Sequence, residues 1–123
     1  MNTQINRLSM ADLPDVVETA VALGAHAWQM MLTVAMGRAA DEPDLLLQPY
    51  QLLEVMPMLA RLKQRADKAK VRIWPGNNIG YFGPYETVLR GTMPRGHLAS
   101  CGAGRATMGI EANPLPKRLS LQR

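Results

Sequence analysis

Apolar residues recur early in the chain at helical spacing: Leu13, Val16, Val17, Ala20 and Leu23 fall on one side, with Asp15, Glu18 and Thr19 on the other. Either Ser9 or Asp12 could cap this helix. Asp12 suits it better, because it puts Pro14 in the first turn, where a missing N–H costs nothing, and Gly24 is well fitted to end it. Ahead of the helix, Ile5 to Leu8 is a short mixed segment that could finish a strand.

From Ala27 to Ala35 the chain is nearly continuous in apolar residues, which suits a parallel strand buried on both faces, with a buried helix as the alternative that periodicity leaves open. Met36 to Asp44 is a polar connection of the strand-to-helix kind that carries function in barrels, and Arg38 stands within it. A long helix is predicted from near Gln48-Pro49 to near Lys70, with Leu52, Val55, Met56, Leu59, Leu62, Ala66 and Ala69 as its buried stripe. Pro57 removes the hydrogen bond to the Leu53 carbonyl, so a kink or break is expected there. Val71 to Trp74 reads as a short strand closed by Pro75-Gly76.

Strand, helix, strand, helix, strand with short connections is the pattern of parallel α/β structure. The expected fold is a partial parallel (β/α) barrel, about half of one, followed by an irregular, Gly-rich C-terminal segment that begins near Gly76. Such a partial sheet leaves its outer edges open, and self-association through them is expected.

Composition narrows the picture. The 123 residues suffice for one compact domain and fall short of a complete two-domain enzyme. A hydrophobic share of 47% with 20% charged residues is ordinary globular usage, which excludes a disordered body. The run from Ala27 to Met36 is broken by Gln29 and Thr33 and falls far short of the roughly 20 residues of a membrane span. The first residues carry neither a basic leader with an apolar block nor a cleavage site, so a cytoplasmic location is expected. The net charge of +4 is diffuse and lacks clustered aromatics, which argues against nucleic-acid binding.

Three stretches in order carry a family pattern. The first is Ile5-Asn6-Arg7 ahead of Asp12-Leu13-Pro14, with Trp28-Gln29 and Met36-Gly37-Arg38-Ala39. The second runs from Pro75-Gly76-Asn77-Asn78-Ile79-Gly80 through Tyr81-Phe82-Gly83-Pro84-Tyr85-Glu86. The third is Cys101-Gly102-Ala103-Gly104-Arg105 followed by Gly109-Ile110-Glu111-Ala112-Asn113, and it is the most telling. Together they resemble radical S-adenosylmethionine (SAM) enzymes with a SPASM-type auxiliary iron–sulfur domain, many of which modify ribosomally made peptides.

The resemblance implies that residues 1–75 are the C-terminal part of a radical SAM (β/α) barrel and residues 76–123 a linker and the truncated start of a SPASM-type domain. Thr3 to Leu8 would be the fifth barrel strand and Ala27 to Val34 the sixth. Asn6, Arg7 and Arg38 would line the C-terminal rim, where the family holds the polar groups of SAM, and an arginine there suits a carboxylate. Cys101 would be the first ligand of an auxiliary [4Fe–4S] cluster.

The departures limit what this chain could do. The family needs an early Cys-x-x-x-Cys-x-x-Cys loop to bind the cluster that cleaves SAM, and Cys101 is the only cysteine here. After Asn113 the pattern should continue with a glycine and a second cysteine, but Pro114 and Leu119 stand there. The chain is therefore expected to bind no cluster and no SAM alone and to be inactive as an enzyme. A non-catalytic binding or complementation module is the alternative, with a separately encoded N-terminal barrel half or a peptide as its partner.

Other chemistries fit less well. His97 lies four residues before Cys101, but His26 is remote and no carboxylate has clear ligand spacing, which disfavours zinc. Gly102-Ala103-Gly104-Arg105 matches neither dinucleotide nor P-loop spacing. Met30, Met31 and Met36 read as core filler.

Overall fold

The structure is a computed structural model and describes residues 1–80 and 82–91. Five elements alternate as expected, β1 (Asn2–Ile5), α1 (Leu13–Ala22), β2 (Ala27–Leu32), α2 (Leu52–Lys68) and β3 (Arg72–Pro75), and a short α3 (Glu86–Arg90) follows in the segment expected to be irregular. The strands form one open parallel sheet in the order β1-β2-β3. This is mixed α/β architecture, and closure into a barrel is not seen among the described residues.

β1 ends earlier than the sequence pattern suggested. Asn6 turns the chain: its Oδ1 accepts the backbone N–H groups of Leu8 and Ser9, both at 3.0 Å, so strand pairing stops at Ile5. Ser9 does not cap α1. Its hydroxyl accepts the Asn6 N–H and donates to the Gln4 carbonyl at 2.8 Å, while Asp12 stands at the cap position without a side-chain bond and Pro14 lies in the first turn. At the other end Gly24, with φ +65°, lets the Ala25 N–H reach back to the Ala20 carbonyl.

α2 runs unbroken through Pro57, against the expectation of a break. The bond lost there would have gone to the carbonyl of Leu53, in the first turn and on the exposed side of the helix, where solvent can reach. Its start is fixed by Gln48 and Gln51: the Gln51 side-chain oxygen accepts the Gln48 N–H at 2.9 Å, and the Gln51 N–H donates to the Gln48 backbone carbonyl at 2.9 Å. Its buried side is Val55, Met56, Leu59, Ala60, Leu62 and Ala66, close to the predicted stripe.

All three helices lie on one face of the sheet, packing α1 against α2 and α2 against α3. The core between helices and sheet contains Ile5, Leu13, Val17, Trp28, Met30, Val55, Leu59, Ile73, Phe82 and Leu89. Trp28 is fully buried and its indole N–H donates to Thr3 Oγ1 at 2.9 Å.

The opposite face is bare. Asn2, Gln4, Gln29, Arg72 and Trp74 project from it and are exposed, and Met31 is half-buried. The expectation that β2 is buried on both faces is thus corrected: its residues alternate, with Trp28 and Met30 inward and Gln29 out. Among the described residues no helix covers that side, so a polar residue costs little there.

Candidate functional site

In parallel α/β folds, function collects where the strands end and the strand-to-helix loops begin. Three loops meet at that rim here. The first carries Asn6 and Arg7 after β1. The second carries Thr33 to Arg38 after β2, and the third carries Gly76 to Ile79 after β3.

Asn6 is half-buried and its Oδ1 is consumed by the turn it builds, leaving only the amide nitrogen for a ligand. Arg7 is held through its backbone, whose N–H donates to the Leu45 carbonyl at 2.9 Å. Its guanidinium lies 4.0 Å from the carboxylate of Asp44, a long and solvated ion pair of little energetic weight. Arg38 sits in the turn Gly37–Ala40, is exposed, and enters no ion pair among the described residues. The fold thus brings all three to one rim on adjacent strand ends, and no hydrogen bond or ion pair links Arg38 to Asn6 or Arg7 there.

The third loop is the most tightly built. Gly76 donates its N–H to the Met30 carbonyl, and a Cβ on it would meet Met31 Cγ at 2.6 Å and that carbonyl at 3.0 Å, so only glycine fits. Asn78 then reaches across to β2 and bonds both backbone groups of Leu32, at 2.6 Å and 3.3 Å. Next along, the Thr33 N–H donates to the Ile5 carbonyl, while its Oγ1 is closed off from solvent without a hydrogen-bond partner among the described residues.

Behind this rim the bare face forms an open depression of about 550 Å³ lined by Met1, Ala27, Gln29, Trp74, Pro75 and Gly76. Asn2 donates to Gln29 Oε1 at 3.3 Å across one row, and the Arg72 guanidinium stands 5.5 Å from the Trp74 ring centre. Trp74 nevertheless keeps 52% of its surface exposed. Sequence reasoning missed this face; the signal was Gln29 in the middle of an apolar strand.

Cys101 and His97, together with Gly102 to Arg105 and most of the 76–123 segment, lie outside the described residues. Among the described residues no group of three His, Cys, Asp or Glu side chains could hold a metal ion, and no helix is long and apolar enough to cross a membrane. A [4Fe–4S] cluster is held by cysteine thiolates, and with one cysteine in the whole sequence this chain's own residues do not fit it. The chain matches no protein-family model, and no curated protein or solved structure matches it.

Proposed function

We propose that this chain is the late arc of a radical SAM barrel joined to the start of a SPASM-type domain, inactive alone and competent only as part of a larger assembly. The observation that carries the reading is the one-sided sheet. Parallel sheets are ordinarily covered on both faces, and a doubly wound fold reaches that state only where its strand order reverses and later helices pass to the other side. Here consecutive strands lie in sequence order with every helix of the described residues on the same side. An arc cut from a (β/α) barrel has this arrangement, with the bare face as its lumen, and so does one half of a doubly wound sheet; the ordered sequence motifs favour the barrel.

The residues suit a supporting role. Arg7 and Arg38 offer forked donors to a carboxylate such as that of SAM, and Asn6 adds the two N–H donors of its side-chain amide. None of them can generate a radical, and the chain lacks the thiolates to hold a cluster, so no reaction step is assigned to it.

The bare face and open edges favour one second reading, a module that complements a separately encoded N-terminal half. Co-expression with a reading frame from the same locus that carries Cys-x-x-x-Cys-x-x-Cys tests both readings. The expected result is a soluble brown complex that cleaves SAM under reduction and in which Trp74 is shielded from a fluorescence quencher. Two colourless proteins that separate on size exclusion would overturn the complementation reading and remove the main support for the first.

A further inference from the structure

The two sheet edges are unequal. Along β3 the N–H groups of Arg72 and Gly76 donate to His26 and Met30, so by the two-residue alternation Ile73 and Pro75 turn their backbone groups outward. Pro75 has no N–H, which blunts that edge against strand addition. Along β1 the carbonyls of Met1 and Ile5 accept from Gln29 and Thr33, so Asn2 and Gln4 face outward. Both carry an N–H, and the strand Asn2-Thr3-Gln4-Ile5 has no charge and no proline to protect it.

We propose that the outer edge of β1 pairs antiparallel with the β1 of a second copy of this chain, about a two-fold axis passing beside Thr3. The outward groups are self-complementary. Centred there, Asn2 lies opposite Gln4 of the other copy, and each such pair exchanges both of its N–H···O bonds. Ser9 sets the length of the contact: its hydroxyl takes the Asn6 N–H and uses one lone pair of the Gln4 carbonyl, so pairing ends at Gln4 with a lone pair to spare. The side chains agree as well. Thr3 faces its copy on the helix side, and its Oγ1, which accepts from Trp28, keeps its own proton to donate. Asn2 and Gln4 meet as amides on the bare face. The axis stands normal to the sheet, so both sets of helices lie on the same side of one continuous sheet with Pro75 at its two ends. This pairing uses only backbone geometry and not the family reading, and a separately encoded N-terminal barrel half would compete with it for the same edge.

Sedimentation equilibrium of the full chain over a concentration series tests it, under reducing conditions so that Cys101 cannot cross-link copies. The expected result is a monomer–dimer equilibrium with no larger species. Gln4→Pro removes the outward N–H and leaves the ladder to β2 intact, so it should weaken dimerisation roughly tenfold or more with an unchanged circular dichroism spectrum. Gln4→Lys, which keeps the N–H but brings like charges onto the shared edge, should weaken it too and serves if the proline variant fails to fold. A wild-type monomer up to its solubility limit, growth beyond the dimer, or a dimer indifferent to the Gln4 variants would overturn the proposal.

Discussion

The side-chain amide of Asn78 bridges both backbone groups of Leu32, donating to its carbonyl at 2.6 Å and accepting its N–H at 3.3 Å. This replaces the ladder partner that β3 no longer supplies past Pro75, and it fixes the loop after β3 to the end of β2. Removing it with Asn78→Ala should cost about 1–2 kcal/mol, two side-chain bonds at a partly exposed site. Asn78→Asp should cost at least as much, since it turns a carboxylate oxygen toward the Leu32 carbonyl. Urea unfolding midpoints of the two variants check this; midpoints equal to wild type would show that the bridge carries no weight.

Thr3 is the hydrogen-bond acceptor for the fully buried Trp28 indole. Thr3→Val keeps the shape and improves strand propensity, yet leaves that N–H unpaired. The loss should dominate, at about 1–3 kcal/mol of stability, whereas Thr3→Ser should stay near wild type. Thermal unfolding followed by tryptophan fluorescence separates the two, and a valine variant as stable as wild type would contradict the pairing.

Lys70 ends α2 in the left-handed region, with φ 62°, where the Val71 N–H turns back to the Ala66 carbonyl. Side chains are strained there and glycine is not. Lys70→Gly should therefore stabilise the chain by about 0.5–1 kcal/mol, a change the melting temperature resolves. A drop in stability would mean that the lysine side chain contributes more than its backbone strain costs.

Much of the fold was legible because it rests on local signals. The period of Leu13, Val17 and Ala20 and the stop at Gly24 place α1, and the stripe from Val55 to Ala66 places α2. The errors arise where a neighbour decides. Gln48 and Gln51 fix the start of α2 and solvent absorbs the lost bond at Pro57, so the helix survives a residue that propensity says should break it. The run Ala27 to Leu32 looks uniformly apolar, and only the absence of a helix on one side reveals that Gln29, not Trp28, faces outward.

The site was legible in part for the same reason. Arg7 and Arg38 follow strand ends, which a sequence can show. Asn6 was chosen as a ligand, yet its oxygen builds a turn. The grip of Asn78 on Leu32 depends on a contact 46 residues away and has no local signature.

Sequencing the gene with its flanking DNA and translating every frame on both sides tests the proposal that this chain is one arc of a larger radical SAM barrel. The expected result is a Cys-x-x-x-Cys-x-x-Cys loop with further βα units upstream, and the remaining auxiliary cysteines in another frame after Asn113. Flanks that encode neither would contradict the claim and leave a free-standing α/β module whose role lies in binding.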